Sequence, residues 1–118
     1  MSLEADLKTT LRPVFANGFF PMVAPAKTVA PYAVYQLISG VPENSIDGAT
    51  PNLTNAHYQV NIFGRDVDAL IDLVQDAKDA MLAASLFKSV CINEMDSFED
   101  PALLYGKQLE FSIWYDTN

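Results

Sequence analysis

The side chains able to do chemistry are few: one histidine, His57, one cysteine, Cys91, and a run of aspartates, Asp68, Asp72, Asp76 and Asp79. General acid–base catalysis needs a partner within reach of the imidazole. His57 opens the run HYQVNIFG (57–64), on the side shared with Gln59 and Asn61, and no partner stands at a telling spacing. A histidine on the polar face of a sheet is the favoured reading. Cys91 lies between Val90 and Ile92 and reads as a small buried hydrophobe rather than a nucleophile. With a single cysteine there is no intrachain disulfide and no cysteine-based metal cluster.

The aspartates invite a divalent-ion reading, but calcium takes six to eight oxygens wrapped around it by a tight loop. A straight helical face cannot wrap an ion, so a solvated face fits better. DSFEDP (96–101) is nearer to a loop ligand set, yet lacks the D-x-[DN]-x-[DN]-G pattern and reads as an acidic turn. Asn52-Leu53-Thr54 matches the glycosylation triplet, which means little without a secretory signal. No phosphate-binding glycine loop, nucleophile elbow or zinc spacing occurs, and neither a metal nor a cofactor is expected.

The elements that must carry these residues follow from hydrophobic period. Leu3, Leu7, Leu11 and Val14-Phe15 recur at helical spacing and predict a first helix of about three turns, ended by Pro13 and Asn17-Gly18. FFPMVAP (19–25) is a short extended piece whose Pro21 confines it to a sheet edge or loop. Residues 32–39 and 57–64 predict strands, the second with Tyr58, Val60 and Ile62 on one face. Asp66 is a good N-cap for a second helix over 67–84, with Val67, Leu70, Ile71, Val74, Ala77 and Met81 in one stripe and the aspartates opposite.

Residues 88–96 predict a strand with Val90 and Ile92 facing one way and Cys91, Asn93 and Met95 the other. In 105–116, Leu109, Phe111, Ile113 and Tyr115 alternate with polar positions, and 96–104 joins the two strands. The fold class expected is α+β: an antiparallel sheet of about four strands packed against two amphipathic helices, in the order α-β-β-α-β-β.

At 118 residues the chain fits one domain. Nine of its 15 acids fall within residues 66–100, opposed there only by Lys78 and Lys88. That asymmetry argues against binding a nucleic-acid backbone, which needs clustered Lys and Arg. No apolar run approaches the ~18 residues of a membrane span, and the N-terminus lacks a signal-peptide layout. A cytoplasmic location is the simplest expectation. Residues 40–55 are turn formers and polar residues, an excursion of a length usually functional or disordered in small domains.

Three segments together carry a resemblance. PYAVYQLISGVPENSIDG (31–48), HYQVNIFGRDVDALIDLVQDAKDAML (57–82) and YGKQLEFSIWYD (105–116) resemble, in order, elements of the small tail-completion proteins of long-tailed bacteriophages and prophages, also called tail-terminator or head–tail joining proteins. The portion 86–104 is least like that family, and the clustering of acids on the second helix is not assigned to it.

The resemblance implies a non-enzymatic virion protein that caps the head-proximal end of the tail tube as a ring, often of six copies, and docks the head. Its partners would be further copies of itself, the tail tube protein and head–tail connector proteins. Its location would be the bacterial host cytoplasm during assembly and then the virion tail. Pro42, Glu43, Asn44, Ser45, Ile46, Asp47 and Gly48, within a projecting loop over 41–55, are the expected assembly arm. Asp68, Asp72, Asp76 and Asp79 become a channel-facing stripe that would repel DNA phosphates. Rival readings are another head–tail adaptor or minor tail subunit, and a cytoplasmic small-molecule enzyme of α+β fold. A pocket uniting His57 with two acids would favour the last.

Overall fold

A computed structural model describes residues 3–15, 17–42, 53–99 and 104–116. The elements are α1 (Leu3–Leu11), continued by a 3-10 turn (Arg12–Val14), then β1 (Phe19–Pro21), β2 (Tyr32–Pro42), β3 (Leu53–Gly64), α2 (Val67–Ala83), β4 (Lys88–Glu99) and β5 (Leu104–Asp116). The strands form one sheet in the order β1-β2-β3-β5-β4. All neighbours are antiparallel except β1 and β2, which run parallel. The class is the expected α+β, with five strands in place of about four because FFPMVAP supplies a true edge strand.

One sheet face and one stripe on each helix make a single core. Tyr35, Tyr58, Val60, Ile62, Leu109, Phe111 and Ile113 meet Leu3, Leu7 and Leu11 from α1 and Leu70, Val74, Ala77 and Met81 from α2. Period-2 alternation in the strands and 3.6-residue periodicity in the helices place these residues on the covered faces. The sheet's short edge is pinned by aromatic packing. Phe15 stacks on Phe19 with centroids 5.8 Å apart, Phe19 on Tyr35 at 4.6 Å, and Tyr35 lies tilted against Tyr58 at 6.2 Å. Gly18 makes the entry to β1 possible. Its φ of 134° is one that side chains rarely adopt, and a Cβ there would collide with the Phe20 ring. Its carbonyl accepts from the Ala33 N–H at 3.1 Å, which docks β1 against β2.

Asp66 caps α2 as expected, accepting from the amides of Asp68 at 2.9 Å and Ala69 at 3.5 Å. A cap of this kind contributes about 1 kcal/mol. The predicted apolar stripe needs one correction: Leu70, Val74, Ala77 and Met81 are buried, but Val67 and Ile71 are 43% and 51% exposed. The apolar stripe is wider than the arc the core covers, so Leu70 is buried while Val67 and Ile71 stand on a groove wall.

The strands also differ from the sequence expectation. β2 and β3 pair beyond their predicted ends, through Val41↔Asn55 and Pro42↔Thr54, so the two ends of the polar excursion, 40–42 and 53–55, are strand. Backbone pairing needs no apolar side chains, which is why hydrophobic period misses it. β4 continues to Glu99, through residues expected to form a connection. Irregularities interrupt the register between Leu37 and Ser39 in β2 and between Cys91 and Asn93 in β4. Each adds one residue and reverses the alternation beyond it. Consequently Val90, Asn93 and Met95 oppose Ser112, Glu110 and Gln108, while Cys91 opposes the core residue Phe111. The expected Val90/Ile92 against Cys91/Asn93/Met95 division does not hold.

Candidate functional site: an open sheet face, a groove and two sheet edges

On the sheet face away from the helices, the middle of β3 and β5 is polar. Register places Gln59 opposite Glu110, His57 opposite Ser112 and Asn61 opposite Gln108. His57 Nδ1 lies 3.7 Å from Glu110 Oε2, with both side chains about a quarter to a third exposed. Asn55 donates to Ser112 Oγ at 2.9 Å and to the Ile113 carbonyl at 3.3 Å, and Gln59 donates to Asn61 Oδ1 at 3.2 Å. His57 thus has a carboxylate neighbour that its own sequence neighbourhood gives no sign of, since the pair is diagonal across two strands. It is one acid rather than two, and it sits on a flat, hydrogen-bonded surface.

A groove of about 510 Å³ runs between the start of α2 and the β4–β5 hairpin, lined by Val67, Leu70, Ile71, Tyr105 and Gly106 and rimmed by Asp96 and Lys107. Lys107 Nζ binds Asp96 Oδ1 at 2.6 Å and Glu94 Oε2 at 3.1 Å, and Glu94 also pairs with Lys78 from α2. Hydrogen bonds from Lys78 and Lys107 hold the Glu94 carboxyl below its usual range, and Asp96 followed by Glu94 raises the Lys107 ammonium. This network ties α2 to the hairpin. All its members are partly exposed, so its energetic weight is modest. Sequence reasoning missed it because its members come from three elements.

Cys91 is half-buried rather than fully buried and lines a cavity of about 200 Å³ with Lys78, Met81, Ser89 and Phe111. An edge strand cannot be covered on its outer side by its own sheet, which accounts for the difference. Asp68, Asp72, Asp76 and Asp79 are all exposed, and Gln75 donates to Asp79 at 2.9 Å. Of the expected assembly arm, Pro42 is the last residue of β2, and residues 43–48 lie outside the described residues. Among the described residues, no three His, Cys, Asp or Glu side chains come together as a metal would require. No helix among them is long and apolar enough to cross a membrane.

The sequence model of the family "Tail completion protein gp17" matches residues 5–116. No curated protein is significantly similar in sequence. Among solved structures, a chain from the virion of a native gene transfer agent particle superposes with a TM-score of 0.69 at 14% identity, covering 98% of this chain and 95% of that one. At that identity the likeness concerns the fold. A structure from Akkermansia muciniphila, of a protein without its transmembrane region, reaches a TM-score of only 0.39 at 10% identity over 70% of this chain and 45% of that one, too distant to carry an argument. The match along nearly the whole length, on a fold with the helices and strands in the order that the resemblance implies, settles the assignment: the chain belongs to the tail completion protein gp17 family of phage structural tail proteins.

Proposed function

We propose that this protein assembles as a closed ring on the head-proximal end of the tail tube, stops tube growth and joins the tail to the head, without a catalytic step. The family match over residues 5–116 carries the reading. The fold shared with a chain of a gene transfer agent virion supports it. So does a rigid core extended by a hairpin whose paired strands run out to Pro42 and Leu53. The segment Glu43 to Gly48, largely polar in sequence, is the one that orders against a neighbour, with an entropic cost recovered on binding. Its amides should exchange slowly in the ring and fast in the isolated chain. Equal rates in both would remove the tip from the assembly contact. The partners are further copies of the chain, the tail tube protein and the connector proteins of the head, in the host cytoplasm and then in the virion.

The test is removal of the gene from a phage that carries it. Full heads beside unjoined tails, or overlong tubes, are expected by electron microscopy. Joined tails of normal length lacking only a baseplate would overturn the reading. In the ring, the exposed stripe Asp68–Asp79 faces the DNA channel, where like charge keeps phosphates from adhering. Replacing all four aspartates by asparagine should slow genome passage and lower infectivity; unchanged infectivity would return the stripe to a merely solvated face.

A further inference from the structure

We infer that in the ring β4 of one copy adds antiparallel to the Gln36–Pro42 half of β2 in the next, so that one sheet continues from subunit to subunit. The inference rests on the ring reading and names its contact.

Both sheet edges are open among the described residues, and they are open at the same height. β4 is a terminal strand with no neighbour on its outer side. At the other edge, β1 covers only Ala33, Val34 and Tyr35. It stops at Pro21, after which Met22 donates to the Tyr35 carbonyl at 2.8 Å and, with a left-handed φ of 64°, turns the chain off β2. Beyond Tyr35 no described strand lies outside β2. Rows of paired residues cross the sheet from one edge to the other. Leu37, Tyr58, Phe111 and Cys91 form one, Ser39, His57, Ser112 and Val90 the next, and Val41, Asn55, Trp114 and Lys88 another. The uncovered half of β2 is therefore level with Lys88–Asn93 of β4.

Strand direction fits a second copy. β2 and β5 run one way, β3 and β4 the other. A copy set beside the first in the same orientation presents β2 to β4 as an oppositely running strand, so the antiparallel ladder continues without a flip. A contact between two different edges of identical subunits is head-to-tail, the kind that closes into rings. The exposed side chains agree. Leu37 and Ile38 lie open on one edge and Val90 and Ile92 on the other, 44–52% exposed. Unprotected apolar edges are ordinarily blunted by charge or proline because they template pairing. Ile38 and Ile92 fall within the two register irregularities, which flank the row of Leu37, Tyr58, Phe111 and Cys91 on opposite sides. Bulges there increase local twist and supply the curvature that a closing sheet needs.

The contact is small. Six residues of antiparallel strand span about 20 Å, short of the ~800 Å² per partner typical of a stable pair. The junction persists only where several close together, on the tube or in a completed ring.

Native Cys91 serves as the probe, with Gln36→Cys, Leu37→Cys and Ile38→Cys introduced one at a time at exposed positions. Cα atoms on paired strands lie ~4.5–5.5 Å apart, within disulfide reach, and three successive positions allow for a stagger of one residue. Mild oxidation of assembled particles should give a covalent ladder of the chain beyond the dimer in at least one variant, abolished by Cys91→Ser. As a check independent of substitution, the amides of Lys88–Asn93 should exchange more slowly in wild-type particles than in the isolated chain. Rings visible in the particles with no ladder from any variant and no added protection would overturn the junction while leaving the ring reading intact. So would a Cys91–Cys91 dimer without any substitution, which marks two-fold β4–β4 pairing. Particles holding the chain in no ring would overturn the ring reading and the junction with it.

Discussion

Replacing Phe111 by alanine is expected to destabilise the fold by about 3–5 kcal/mol. Phe111 is 1% exposed in β5, level with Tyr58 on β3 and Cys91 on β4. Its ring lies where the central strands meet α2. Two features place the cost toward the upper part of the range. The site already borders the cavity of about 200 Å³ shared with Gln75, Met81 and Leu82, so the added space cannot be closed by a simple collapse. β5 also links the β2–β3 hairpin to β4, with partners on both sides along its length. Set against the 5–15 kcal/mol of an ordinary domain, the loss would leave a largely unfolded or aggregating chain at 37 °C. Urea denaturation of Phe111→Ala beside the edge variant Val90→Ala checks it. The second substitution, at an exposed position, should move stability by no more than about 0.5 kcal/mol. A Phe111→Ala loss below about 1 kcal/mol would mean that the described packing is not that of the folded protein.

A second large effect is expected in alkali. Tyr35 is buried in the core with its hydroxyl near the Glu4 carboxylate, and no hydrogen bond of good geometry to that hydroxyl forms among the described residues. Burial first, then the nearby Glu4 carboxylate, push its phenol from 10.0 up to about 12, with Tyr58 adding to the effect and Arg12 opposing it. The folded state thus holds its proton more tightly than the unfolded chain does. Stability from this group is fully present below pH 10 and is lost as the pH rises from 10 to 12. A shift of that size corresponds to about 2–3 kcal/mol. Tyr35→Phe should remove most of that alkaline loss. It should leave stability near neutrality unchanged or slightly higher, since an unpaired buried hydroxyl is removed. Some pH dependence will remain, because burial also raises Tyr58. Unfolding free energies measured from pH 7 to 11.5 decide the matter: parallel curves for the two proteins would overturn the assignment.

Much of the architecture was legible from local pattern. Tyr58, Val60 and Ile62 in β3 and Leu109, Phe111 and Ile113 in β5 alternate as their burial does, and the α2 stripe marks its own inner side at Leu70, Val74, Ala77 and Met81. Asp66 before that stripe gave the helix its start. The ordered combination of three segments gave the family. These features follow from nearest-neighbour geometry, in which the period of a strand or helix dictates what points inward.

Other features depended on which strands meet and in what register. His57 gains Glu110 only because β3 and β5 are neighbours, and Lys107 joins Glu94 and Lys78 only because β4, β5 and α2 converge. One added residue at Ile92 puts Val90 and Asn93 on the same face, against the run of the sequence. Gly40 and Pro42 are turn formers by type, yet with Val41 they extend a ladder held by backbone hydrogen bonds that read no side-chain pattern. The sequence by itself therefore determined the inner faces, the helix start and the family. The tertiary structure alone decided how far β2 and β3 pair, the diagonal polar pairs and the two edges left open among the described residues, because each depends on register between strands distant in sequence.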